Sequence, residues 1–280
     1  MRVLCCLLLG SSVLLSGCGE SKEDAVSPST KSSYWKNAPT VRLDTIDKEP
    51  KTTKESKEAA VAAIKKLGGF VSFEENNPGK PVVHVSLFGQ DVTDASLEHL
   101  KELTSLTSLD LVNTRVTEAG LEHLKGLPNL QELCLPDSTR VTDAGLVHFN
   151  GLTSLQRLVL SGTDVTAAGL VHLKGLTSLQ TLDLSNTKVT DAGLEYLNGL
   201  TSLKQLLLSN TRVTDTGLVH LKDQTSLTSL NLMNTQVTDA GLVHLKELTS
   251  LQELVLASTE VTDAGVKELQ SALPKCKITK

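Results

Sequence analysis

Residues 179–202 read LQTLDLSNTKVTDAGLEYLNGLTS. The block from Leu203 reads LKQLLLSNTRVTDTGLVHLKDQTS, and the one from Leu227 reads LTSLNLMNTQVTDAGLVHLKELTS. A shift of 24 residues lays most of this sequence on itself. A fixed period of this size marks a repeat architecture, in which each copy is one supersecondary unit.

The spacing within one copy predicts its shape. Leu182 and Leu184 are two apart, so in a strand they share one face, while Thr181, Asp183 and Ser185 share the other. Val189 is a second apolar anchor beyond a turn. Thr190-Asp191 suits a helix start, Thr as N-cap and Asp as complement to the helix dipole. Leu194, Leu197 and Leu200 then follow at three-residue steps as one apolar stripe. A copy is strand, turn, short helix, turn, with its large apolar side chains on one side. One copy cannot bury that side alone, but stacked copies can.

These residues resemble the leucine-rich repeats. The match is to Leu-x-x-Leu-x-Leu-x-x-(Asn/Cys)-x-Leu, with Thr standing where Asn or Cys is usual, and it covers residues 82–278. Val-Thr-Asp-Ala-Gly-Leu is similar to the helical half of cysteine-containing-type repeats and of many bacterial relatives. The resemblance implies an α/β fold: a right-handed solenoid with a parallel concave sheet and convex helices. It says little of function, because the motif residues face inward.

Outward from this block, repeats begin at Val82, Leu106, Leu130, Leu155, Leu179, Leu203, Leu227 and Leu251, eight in all over 82–274. The copy from Leu130 carries one extra residue in Cys134-Leu135-Pro136-Asp137-Ser138-Thr139, where Pro136 ends pairing and a bulge is expected. Thr recurs at 114, 139, 163, 187, 211, 235 and 259, with Gln90 in the first copy; these hydroxyls are expected to bond the turn backbone. Leu273-x-x-Cys276-x-Ile278 restarts the pattern and stops, which predicts a closing strand over 275–280. Before the repeats, 53–67 reads as a helix ended by Gly68-Gly69, and Phe70–Phe73 as a short strand. Helix and strand form an N-terminal cap over 53–81, needed because an end repeat exposes its core and a sheet edge.

Residues 1–17 read as a targeting segment: Arg2, then an apolar run too short for a membrane span of about 20 residues. Leu15-Ser16-Gly17-Cys18 resembles the bacterial lipoprotein processing box. That resemblance implies cleavage before Cys18, lipidation of its thiol, and a lipid-anchored place in the bacterial cell envelope, on the outer membrane or facing the periplasm. Residues 18–52 are polar and aperiodic, a tether of roughly 30 Å. Tyr34-Trp35 within it holds the single Trp.

Formal charge is -5 and the pI is near 5.8, which argues against nucleic acid as a partner, since that needs a basic face. Cys134 and Cys276 lie more than five repeats apart, at about 4.7–4.9 Å per strand, so no disulfide joins them. Six histidines recur in register at 99, 123, 148, 172, 220 and 244, but helices about 10 Å apart cannot share one metal. The Asp column at 94, 143, 191, 215, 239 and 263 is accounted for by helix capping, with Glu118 and Ala167 as variants. No nucleophile elbow, phosphate loop, His-Glu-x-x-His or Cys-x-x-Cys is present, so neither an enzyme nor a cofactor is expected.

What varies between copies is the outward side of the strands. Its central column reads Ser86, Asp110, Cys134, Val159, Asp183, Leu207, Asn231 and Val255; Arg157, Gln205 and Met233 flank it. Val159, Leu207 and Val255 serve no core there. Apolar and charged groups side by side suit a contact surface. The expected ligand face is Asp110, Cys134, Arg157, Val159, Asp183, Gln205, Leu207, Asn231, Met233 and Val255. Its expected partner is a protein or peptide, with a glycan as the other chemistry. The competing readings are a structural envelope component self-associating through its convex face, and a secreted effector or adaptor.

Overall fold

A computed structural model describes residues 54–77, 79–89, 91–135 and 140–280. The targeting segment, Cys18, Tyr34-Trp35, Gln90 and the insertion at 136–139 lie outside the described residues. The unit from Thr52 onward contains all of the fold described.

Helix α1 spans Lys54–Lys66 and turns through Gly68-Gly69 into β1, Phe70–Phe73. Nine further strands follow: β2 Val82–Ser86, β3 Ser108–Asp110, β4 Glu132–Cys134, β5 Arg157–Val159, β6 Thr181–Asp183, β7 Gln205–Leu207, β8 Ser229–Asn231, β9 Glu253–Val255 and β10 Lys277–Thr279. They form one sheet in sequence order, with β1 antiparallel to β2 and every later pair parallel and in register, so Leu158, Leu182, Leu206 and Leu230 line up across it. Strands of three residues suffice because each bonds both neighbours; Leu184 N–H donates to Leu207 O, one residue past the strand, at 2.9 Å.

The helical half is tighter than one α-helix. Asp191–Leu194 makes a single α turn and Glu195–Leu197 continues as 3-10 helix, a pattern that most copies repeat. The expected stripe is confirmed: Leu194, Leu197 and Leu200 are fully buried, as are Leu179, Leu182, Leu184 and Val189. Gln224 takes the place that Leu200 fills in the preceding copy; it is buried, and its amide donates to Leu197 O at 2.9 Å. The Thr column does what was expected. The hydroxyls of Thr163, Thr187, Thr211 and Thr259 each donate to the carbonyl three residues back at 2.6 Å, closing the turn inside the stack.

The Asp column does more than cap its own helix. Asp191 Oδ1 accepts the Thr214 N–H of the next repeat at 2.7 Å, and Oδ2 accepts the Thr214 hydroxyl at 2.7 Å. The same two-point bracket joins Asp94 to Thr117, Asp143 to Thr166, Asp215 to Thr238 and Asp239 to Thr262. Glu118 takes one bond from Thr142. The helical Gly makes room for it: a Cβ on Gly217 would sit 2.5 Å from Asp191 Oδ1. Thr-Asp-x-Gly is therefore a clamp between neighbours, and the dipole reading is too narrow.

The clamp is missing once. Ala167 stands in the Asp position, and Thr190 shows no side-chain capping bond. Ala167→Asp is expected to restore both bonds to Thr190 and stabilise the chain by about 1 kcal/mol. Urea denaturation of the variant beside the parent measures this.

Ten residues from Asp263 to Ala272 form a longer last helix, followed by β10. Cys276 is buried just before β10, in the leucine place. Burial first, then the Glu253 charge, pushes its thiol up to about 11. Cys134 and Cys276 are both thiols. No helix among the described residues is long and apolar enough to cross a membrane.

Candidate functional site

Alternation in each strand sends the middle leucine into the core and its two neighbours to the open face. In-register parallel pairing then stacks these neighbours into two columns. The central column runs Ser86, Asp110, Cys134, Val159, Asp183, Leu207, Asn231, Val255, and the flanking column His84, Ser108, Glu132, Arg157, Thr181, Gln205, Ser229, Glu253.

The ten residues expected to form a ligand face do share this face, but not on equal terms. Arg157, Gln205, Leu207, Asn231 and Val255 are half-buried, as are Asp110 and Cys134, and Met233 is 37% exposed. Val159 and Asp183 are only 1% and 3% exposed, so the expectation that they stand open is corrected. They are register partners in mid-sheet, flanked by Cys134 and Leu207 on the next strands. Asp183 also turns back on its own chain, its Oδ1 accepting the Ser185 N–H at 2.9 Å. Asn231 does likewise for Met233 N–H at 2.9 Å. A short polar side chain closing on the amide two residues ahead is a local turn motif, and it ties up part of what read as ligand-facing polarity.

The face has two chemistries. On β2 to β5 it is polar. His84 Nδ1 lies 3.1 Å from Ser108 Oγ, and that hydroxyl donates to Glu132 Oε2 at 3.1 Å. This direction makes the His84 nitrogen the donor. Burial pushes the His84 imidazole down to about 4, so it is neutral at pH 7. Asp110 is pushed up to about 6: burial outweighs both the Val112 N–H bond and the charge of Arg157. Its Oδ1 is buried without a hydrogen-bond partner among the described residues. On β7 to β9 the face is mostly uncharged, with Leu207, Met233 and Val255 beside Gln205, Ser229 and Asn231.

A raised carboxyl pKa means that folding favours the neutral acid. The penalty on the native state is absent below the unfolded value of 3.8 and complete above about 6. Asp110→Asn is therefore expected to match the parent in stability in acid and to exceed it progressively as pH climbs through that window. Denaturant titrations at several pH values test the sign.

The turns after the strands hold a feature that sequence reasoning passed over. Asn113, Asn186, Asn210 and Asn234 all adopt φ of 54–57°, and Ser258 and Gly162 take the same place with φ 59° and 70°. Asn tolerates this left-handed region better than other non-Gly residues. Asn234 Nδ2 donates to Asn210 Oδ1 at 2.6 Å, and Asn210 Nδ2 to Asn186 Oδ1 at 2.9 Å. The signal was present as an Asn before Thr114, Thr187, Thr211 and Thr235; the Thr column drew attention instead.

On the helical side the histidines stay separate. Among the described residues no cluster of His, Cys, Asp and Glu could hold a metal. Burial, and then Lys125, lowers the pKa of His148. Away from both faces, a hollow of about 430 Å³ lies between α1 and the β1–β2 turn, with Val61, Phe73 and Leu103 as apolar walls and Lys54, Lys57, Lys65 and Lys80 around them.

An inward leucine on each of strands β3 to β9, a variable outward pair and an inter-repeat clamp define a repeat scaffold of the kind that serves protein–protein interaction. The chain is a leucine-rich-repeat protein. Residues 177–222 match the family model for leucine-rich repeats in two copies, and 223–246 and 247–269 each match a single-repeat model. Among solved structures, it is similar to internalin C2 of Listeria monocytogenes, at 26% identity and TM-score 0.59, over 79% of this chain and 92% of that one. A leucine-rich-repeat protein of Leptospira interrogans is 21% identical, with TM-score 0.47, over 65% of this chain and 57% of the other. No curated protein sequence matches the chain.

Proposed function

We propose that the chain is a lipid-anchored, non-catalytic binding protein of the bacterial cell envelope, holding a protein or peptide ligand against the concave face of its sheet. One observation carries this reading. The buried positions repeat almost without change, while the outward pair differs on every strand. Regular stacking needs the first; only contact with something else needs the second. Burial of Val159 and Asp183 narrows the contact surface to the half-buried and exposed residues around them. The ligand face centres on Gln205, Leu207, Asn231, Met233 and Val255, with Arg157 at its polar border. A glycan would use Gln205 and Asn231 but gain little from Leu207 and Met233, so a polypeptide fits better. Crosslinked capture from intact cells, repeated with Leu207→Asp and Met233→Asp, tests the face. Mass spectrometry of the mature N-terminus tests the anchor: an unmodified Cys18 thiol overturns it.

The helical side supports a second reading. Val147, Val171, Val219 and Val243 recur at one exposed position, broken by Glu195. Such a stripe suits packing against copies of the chain, which Val219→Lys with Val243→Lys would abolish.

A further inference from the structure

The N-terminal cap covers the edge of β2 but leaves an edge of its own. β1 ends the sheet, and no further strand pairs with it among the described residues. Alternate N–H and C=O groups of an edge strand point outward and invite another strand. The opposite end is guarded: β10 carries Lys277, with Lys280 just after it, both exposed. Lysine is a common guard of such edges. Phe70-Val71-Ser72-Phe73 has no charge, and Phe70 and Phe73 are 52% and 40% exposed. The Phe70 ring lies 6.2 Å from that of His84, which places it on the open face, while Val71 is buried on the other.

We propose that β1 pairs antiparallel with β1 of a second copy of this chain, so that the two sheets run on as one. The sequence around the strand is complementary to itself. Antiparallel neighbours keep each side chain on its own face, so Val71 meets Val71 on the two-fold axis and Phe70 meets Ser72. The two Phe70 rings are then diagonal neighbours, within aromatic reach. Phe73 comes opposite Gly69, which has no side chain to displace it. The chain turns at both ends of the strand, which carries Glu74 and Glu75 of one copy toward the exposed Lys65 and Lys66 that end α1 of the other. Opposite charges therefore meet at both ends of a short apolar strand. Four paired residues bury less than a standard interface, so the dimer is weak, with Kd on the order of 10–100 µM.

Sedimentation of the full chain from about 5 to 500 µM, a range that brackets this Kd, is expected to show a monomer–dimer equilibrium. Phe70→Lys with Phe73→Lys should raise Kd at least about tenfold and leave the circular dichroism spectrum unchanged. Glu74→Lys with Glu75→Lys should weaken the dimer too, and adding Lys65→Glu with Lys66→Glu should restore it. Met233→Lys, on the open face, should have no effect on the dimer. A parent that stays monomeric throughout overturns the proposal. So does a dimer insensitive to the phenylalanine changes, or a charge swap without rescue.

Discussion

Asp191→Ala is expected to destabilise the chain by about 2–3 kcal/mol, far more than loss of a helix-end charge would. A surface dipole contribution is about 0.3–1 kcal/mol. The clamp is larger because Asp191 satisfies two donors on another repeat, the Thr214 N–H and hydroxyl, both part-buried. Stripping a charged acceptor from such groups costs about 1–3 kcal/mol each before water re-enters. Asp191→Asn separates the two accounts. It removes the charge but keeps an oxygen for the Thr214 amide, and its NH2 can donate to the hydroxyl, so most of the stability should remain. Gly217→Ala supplies the cross-check. Its Cβ would lie 2.5 Å from Asp191 Oδ1 and 3.1 Å from Leu194 Cδ1, so the carboxylate must leave, at about 1–3 kcal/mol. The double variant should cost less than the two singles together, since the methyl then has no carboxylate to displace. Additive costs in denaturant titrations would refute the clamp. At Asp239 the bonds from Thr262 hold the carboxyl below the usual carboxylate range. That contribution is present above pH 3.8 and is lost as pH falls through the lower folded value.

Leu207→Asp and Met233→Asp should each lower ligand capture by about thirtyfold or more, while leaving the unfolding midpoint nearly unchanged. An apolar anchor at the centre of an interface contributes about 2 kcal/mol or more, and a buried carboxylate there adds a desolvation cost. Both residues lie outside the buried core, so the stack should not register the change. Val159→Asp is the instructive contrast. At 1% exposure it should unfold or loosen the protein before it alters any contact surface. Capture assays run beside thermal melts distinguish these outcomes. Full capture by both aspartate variants would remove the proposed face.

The fold was legible because period and chemistry agree. A 24-residue shift, leucines two apart and a Thr-Asp helix start leave one way to bury the apolar side, and each inward leucine on strands β3 to β9 is buried as expected. The candidate face was half legible. Alternation told which residues point outward, and the register confirms it for Asp110, Cys134, Val159, Asp183, Leu207, Asn231 and Val255. It could not tell how open each one is, because that depends on neighbours contributed by other strands.

Periodicity by itself therefore determined the solenoid and the identity of the core, since a repeated local pattern constrains every copy alike. Only the tertiary structure decided what passes between copies. It turned an apparent cap, Asp191, into a clamp on Thr214, closed Val159 and Asp183 in mid-sheet, and left β1 as the sheet's first strand among the described residues. Contacts between residues 23 or 24 apart are set by how repeats stack, and one repeat read alone contains only half of each.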